Sequence, residues 1–470
     1  MERYEKYKDS GVEWIGEIPA GWESVRLKYA GQSIIGIIYS PSDVTDESNG
    51  ILVLRSSNIQ NRRLAFDDCI YVSKAIENKH LTKEGDVLLC ARNGSAHLVG
   101  KAAHIGLDDI GLTFGAFMSV VRSPLGKYLF YIFNSQIFKA QIGLFSTSTI
   151  NQLTSDTLNN MVIAFPKAYS EQTAITNYLD RKTAEIDALI AQKERLIELY
   201  EEEKTAIINQ AVTKGAGSDV GVPLVGTLNN KGESIDKENG ADQGNHKGLP
   251  LRDSGIDWLG DIPEGWEVKK LKYVAKIHLG KMLTNAEQDG YFCKPYLRAA
   301  NLLWLNVDVS DVKEMWFSEA ELRKLRLQQG DLLVSEGGEV GRTAIWNNEL
   351  EECYIQNSVH KIKFNKNCNS KYYLYLFFAF GHRGFFDAIV NKISIGHLTG
   401  EKLKEIEIIS PCLSEQTAIV QHIETETARI DTKIAKTKRI IELQKEYRTA
   451  LISEVVTGKI NVGAIPCGCP

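Results

Sequence analysis

Asp261 and Glu267-x-Lys269 have the spacing with which many metal-dependent nucleases hold a divalent cation and activate water. The chain carries its own test of this pattern. The same segment stands 244 residues earlier, and there the three places hold Glu17, Glu23 and Val25. The first copy lacks the lysine that the chemistry needs, so the segment reads as structural. Gly337-Gly338-Glu339-Val340-Gly341 is the nearest approach to a glycine-rich phosphate loop and reads as a hairpin turn. GxxxxGK[ST], HExxH, GxSxG and the Asn-Pro-Pro-aromatic tetrapeptide of adenine amino-methyltransferases do not occur. His97, His104, His360 and His397 share no metal-ligand spacing and read as loop or core histidines. The eight cysteines form no CxxC pair. Cys467-Gly-Cys469 has no companion ligands nearby, so neither a disulfide framework nor a zinc site is expected.

What remains is a set of polar residues in loop-like stretches, of the types that read base edges or hold phosphates. In the first half these are Arg55, Ser57, Asn58, Arg92, Asn93 and Lys101, with Thr147, Asn151 and Gln152 in a Ser/Thr-rich run. In the second half they are Arg298, Asn301, Glu336, Arg342, Gln356, Asn357, Lys392, Ser394 and His397. Solvated loop residues would look the same, so the elements beneath them must decide.

Those elements come in two copies. DSGVEWIGEIPAGWESVRLKY at 9–29 returns as DSGIDWLGDIPEGWEVKKLKY at 253–273, and the stretch opening SEQTAI at Ser170 returns at Ser414. Both offsets are 244 residues, far too long for a solenoid repeat, so a domain plus a helix is duplicated. Between these shared ends the copies diverge. Leu54-Arg55-Ser56-Ser57-Asn58-Ile59 still echoes Leu297-Arg298-Ala299-Ala300-Asn301-Leu302, and short β-branched runs with Gly-Asp punctuation predict strands and hairpins. Tyr128–Ile142 and Lys371–Asn391 predict aromatic-rich helices, which makes each globular part α+β. Ser170 and Ser414 stand where helix N-caps belong, with Glu171 and Glu415 in the first turn, where an acid favours the helix dipole. Apolar residues then recur at three- and four-residue steps: Ile186, Leu189, Leu196 and Ile197 in one rod, Ile430, Ile434, Ile440, Ile441 and Leu451 in the other. A lone helix of roughly forty residues, ~60 Å long, needs a mate. Antiparallel pairing of the rods supplies one. The expected division is a domain at 1–166, a rod at 167–214, a Gly/Asn-rich linker at 215–250, a second domain at 251–411, a second rod at 412–460 and a tail at 461–470.

Composition fits a globular protein, with 43% apolar and 24% charged residues. The start of the chain shows no secretory signal, and the longest apolar run, Tyr372–Phe380, is far shorter than the ~20 residues of a membrane span, so a cytoplasmic location and no membrane contact are expected. Net charge is −5. Residues 1–165 carry 16 Lys/Arg against 17 Asp/Glu, and residues 251–411 carry 21 against 22. Neither is a basic domain, so a nucleic-acid surface would have to be local or shared with a partner.

DSGxxWxGxIPxGW, a variable domain, then P…SEQTAI…ID and a rod ending in a Val-Thr-Lys-Gly-like turn, all twice over, resembles the specificity subunit of Type I restriction-modification enzymes. The likeness covers about residues 1–460. It implies two target-recognition domains separated by two long antiparallel helices. Each domain would read one half of an asymmetric bipartite site in double-stranded DNA. The helices would set the half-site spacing and dock two methylation subunits, through which restriction and translocation subunits join. It also implies that this chain is not itself an enzyme and binds no cofactor, with S-adenosylmethionine, ATP and magnesium on the partners. A different class remains open at this point: a coiled-coil scaffold with two protein-binding modules and no DNA readout.

Overall fold

The computed structural model describes residues 3–145, 152–216, 250–256, 259–287, 289–389 and 397–463. Most of the 215–250 linker, the Cys467/Cys469 pair, and Thr147, Asn151, Lys392 and Ser394 therefore lie outside the described residues. The architecture is α+β. Two strand-rich parts accompany two long helices, Tyr169–Lys214 and Leu413–Val456.

Compact packing divides the chain differently from the boundaries at 166 and 411. One unit is Met1–Glu194 with Lys438–Pro470, and the other is Arg195–Thr437. Each unit thus contains one domain, the first half of one long helix and the second half of the other.

In the first unit a four-stranded antiparallel sheet has the order Ala102–His104, Val87–Cys90, Met118–Arg122, Gln32–Ile35. A second sheet is built around Ile51–Leu54, which pairs in parallel with Thr113–Phe114 and antiparallel with Tyr71–Val72. Leu54, Leu88, Ala103, Phe114 and Val120 form the core between them. The second unit repeats this plan. Its four-stranded sheet runs Ala275–Leu279, Val359–Phe364, Leu332–Ser335, Thr343–Ile345, and Tyr291–Leu297 pairs in parallel with Tyr354–Ile355. The Gly337–Gly341 stretch joins the antiparallel strands Leu332–Ser335 and Thr343–Ile345, as expected of a hairpin turn. The apolar run around Tyr372–Phe380 is a buried helix, Ser370–His382.

Each shared motif fastens a domain to its helices by the same bonds. The buried indoles of Trp22 and Trp266 donate to the Glu171 and Glu415 carboxylates at 2.9 and 2.7 Å. Gln172 and Gln416 donate to the carbonyls of Pro166 and Pro411 at 2.7 and 2.8 Å. Tyr128 and Tyr372 reach the last turns of the opposite rods, at the carbonyls of Val456 and Val212. The Trp, Pro and Ser-Glu-Gln of the repeat are therefore one joint, made twice.

Ser170 and Ser414 are not N-caps. Both helices have begun by then, because the carbonyls of Ala168 and Cys412 already accept from Gln172 and Gln416. The glutamates stay in the first turn, as expected, and there meet the tryptophans.

Within each unit the half-rods run antiparallel. In the first, Asp187 pairs with Arg448, and Arg62 adds a second guanidinium at 2.8 Å. In the second, Asp431 pairs with Lys204 at 2.6 Å. These are the same pair displaced by one repeat, since 187 + 244 = 431 and 204 + 244 = 448. Ile186, Ile430, Ile434, Ile441 and Leu451 are buried on the apolar stripe, while Leu189, Leu196 and Ile197 are half-buried. Ile440 departs from the expectation: with Leu443 and Tyr447 it stays exposed, an apolar row at three- and four-residue steps on one helix face.

Candidate nucleic-acid interface

The polar candidates separate into those that build the fold and those left facing outward. Asn58 and Asn301 belong to the first group. They are 0% and 3% exposed, and their amides donate to Ala65 and Asp68 carbonyls in one unit and to Asp308 and Asp311 carbonyls in the other, at 2.9–3.1 Å. Their side-chain oxygens accept from the amides of Arg55 and Arg298. Both the amide nitrogen and the amide oxygen of each are thus engaged in closing a loop. Arg55 and Arg298 brace the same loop through Asp68 and Asp311. Arg342 is spent on Glu339 and the Leu302 carbonyl. Lys101 stands at the equivalent place of the first unit, half-buried.

The second group gathers where the central strands Val87–Cys90 and Leu332–Ser335 end. In the first unit Ala91 N–H donates to the Phe117 carbonyl at 2.9 Å, and the Ala91 carbonyl accepts from Leu153 at 2.7 Å. In the second, Glu336 N–H donates to the Ser358 carbonyl and the Glu336 carbonyl accepts from Leu398, both at 2.9 Å. Ala91 and Glu336 thus occupy one backbone node. Glycines permit a close backbone approach two residues before Phe117 and Ser358: a Cβ on Gly36 would lie 2.2 Å from the Gly115 carbonyl oxygen, and one on Gly280 2.3 Å from that of Gln356.

Around the first node, Asn93 donates to the Ser56 hydroxyl at 3.1 Å, beside Ser57, and Arg92 pairs its backbone with Gln152. The Arg92 guanidinium lies 5.2 Å over the exposed Phe117 ring and makes no ion pair among the described residues. Around the second node, Ser358 donates to Gln356 Oε1 at 2.5 Å, and Gln356 Nε2 donates to Asn357 Oδ1 at 2.7 Å. His397 is exposed near Gly337, where an added Cβ would come within 3.6 Å of its Nδ1. Burial pushes the Glu336 carboxyl above the usual carboxylate range, opposed by the nearby His397 charge. Phe117 and Ser358 were not singled out in the sequence. Only aligning one copy on the other through the node reveals them. At the rim, Ile38 and Met282 directly follow the paired residues Ile37 and Lys281 and are strongly exposed.

Glu267 and Lys269, the nuclease-like pair, form a salt bridge with each other on a short edge strand. Among the described residues no group of three or more His, Cys, Asp or Glu could hold a metal, and no helix is long and apolar enough to cross a membrane.

Comparison with known proteins adds the following. Residues 263–444 match the family described as the Type I restriction modification DNA specificity domain. The chain is 22% identical over 462 residues to the Type I restriction enzyme EcoKI specificity subunit of Escherichia coli K12, covering 95% of this chain and 90% of that one. It is 26% identical over 208 residues to the StySPI specificity subunit of Salmonella potsdam, 42% of this chain and 44% of the relative. In fold it resembles a structure described as the basis of complex assembly and conformational transition of the type I R-M system, with a TM-score of 0.58 at 16% identity, over 94% of this chain and 99% of the other.

Proposed function

Starting from the chain's place among Type I restriction-modification specificity subunits, we propose that each unit reads one half of an asymmetric bipartite site in double-stranded DNA. The observation that carries this reading is the pair of equivalent strand-end nodes, alike in backbone and different in chemistry. Arg92 and Asn93 surround one; Glu336, Gln356 and Asn357 surround the other. A common frame with different polar tips suits two readers of different base sequences. The divergence between the domains makes the two half-sites unlike.

The long helices dock two methylation subunits and set the half-site spacing. The exposed row Ile440, Leu443 and Tyr447 supports a protein partner there, because it remains uncovered after packing within its own unit. S-adenosylmethionine sits on those partners, and ATP and magnesium on the restriction and translocation subunits that join through them. The chain itself is non-catalytic and works in the cytoplasm. Near-neutral domains are compatible with DNA binding when the partners supply part of the positive field around the duplex.

The test is replacement of residues 30–165 by the matching domain of another specificity subunit, followed by mapping of the methylated site in the assembled complex. One half-site changes and the other stays. A change in both halves, or in neither, overturns the reading. The purified chain with S-adenosylmethionine but without methylation subunits leaves DNA unmodified.

A further inference from the structure

The two nodes offer opposite chemistry to whatever faces them. At the first, the node residue is Ala91, and the charge arrives one residue later as Arg92. Its guanidinium stacks on Phe117 and forms no ion pair among the described residues, so its donors remain available while the ring limits its rotamers. At the second, the node residue is itself a carboxylate, Glu336, followed by Gly337, so no neighbouring side chain covers it from that position. The half-buried Glu336 carboxylate accepts no hydrogen bond and forms no salt bridge among the described residues. Holding a carboxylate partly out of water without a donor is costly, and a donor brought by a ligand would remove that cost. Beside it, the bonds from Ser358 to Gln356 and from Gln356 to Asn357 fix the two amides.

We infer that Arg92 selects a base presenting acceptors, guanine, in the half-site read by the first unit, whereas Glu336 selects a base presenting an exocyclic amino group, cytosine or adenine, in the other. The inference rests on the reading of each unit as a DNA reader. Its chemistry follows from the major-groove edges. Arginine matches the guanine O6/N7 pair, and a carboxylate can only accept, which suits the amino groups of cytosine N4 and adenine N6. Guanine turns only acceptors toward that groove and thymine an acceptor and a methyl group, so neither offers the carboxylate a donor.

The experiment is selection of bound sequences from a randomised DNA library by the assembled complex. Wild type is compared with Glu336→Met, which keeps the length of the side chain and removes its acceptor oxygens, and with Arg92→Gln. Glu336→Met lowers the preference for an amino-bearing base at one position of one half-site by about tenfold, and Arg92→Gln does the same for guanine in the other half-site. Synthetic sites then separate the sources. Purine in place of adenine, or 2-pyrimidinone in place of cytosine, removes only the amino group. Whichever analogue carries the effect weakens wild-type binding and leaves Glu336→Met binding unchanged. A uniform loss across all sequences, an unchanged preference, or both variants acting on the same half-site overturns the inference while leaving the DNA-reading function standing. A wild-type complex that selects no bipartite sequence overturns the function itself.

Discussion

His360 shows how a residue that looks available in sequence is used up by the fold. It is fully buried, with its Nε2–H donating to the Leu398 carbonyl at 2.7 Å and Nδ1 without a partner. Burial holds its pKa below the ordinary 6.5. The unfolded chain therefore takes up a proton near pH 6.5 that the folded unit refuses. Stability from this residue is complete above that pH and is lost as pH falls from 6.5 toward the folded pKa. Replacing His360 with Gln, which can still donate but does not titrate, makes the loss of stability as pH falls below 6.5 shallower; urea melts at several pH values read this directly, and parallel curves would show that His360 is not held neutral. The same contrast governs the candidate readers. Residue type alone ranked Asn58 and Asn301 with Arg92 and Asn93, because base readers and loop-closing asparagines are chemically identical in a sequence. Long-range carbonyl partners separate them: seven and ten residues away in each case.

At the level of elements, the shared motifs were legible as repeats but not as joints. Trp22 is far in sequence from Pro166 and Glu171, and nothing in that spacing says that an indole meets a carboxylate. The helix starts were misplaced for a related reason. Serine before an acidic residue is a strong cap signal, yet the helices begin two residues earlier than such a cap implies, at Tyr169 and Leu413. The two joints differ in one respect that can be measured. Glu171 also accepts from the Tyr4 hydroxyl at 2.7 Å, whereas among the described residues Glu415 accepts only from Trp266. Phenylalanine at either tryptophan keeps most of the buried ring and removes the donor. Trp266→Phe therefore leaves a carboxylate with no side-chain donor and destabilises its unit by about 1–3 kcal/mol. Trp22→Phe costs less, because Tyr4 remains. Thermal melting of the two variants ranks them; equal losses would mean that the indole bond contributes nothing beyond ring packing.

For the whole molecule, the offset of 244 residues made the duplication plain, and the apolar stripe made the need for a helical mate plain. How the rods are shared could not be read, since a stripe says that a face is buried and not against which stretch. Each unit uses the first half of one rod and the second half of the other, with Asp187–Arg448 and Asp431–Lys204 as matching fasteners. The junctions fall at 194/195 and 437/438, and these are the places to lengthen the rods without touching the fasteners. One heptad inserted at both junctions leaves the pairing inside each unit intact and adds ~10 Å of helix. If the rods set the half-site spacing, the nonspecific spacer of the recognised site grows by about three base pairs, at about 3.4 Å each. A heptad at one junction alone gives the two rods unequal lengths between their fasteners, so one unit must break its ion pair or one rod must buckle, and stability falls. Methylation mapping of the doubly extended complex measures the spacer. A spacer of unchanged length in a folded, active, doubly extended complex would remove the helices from the role of ruler.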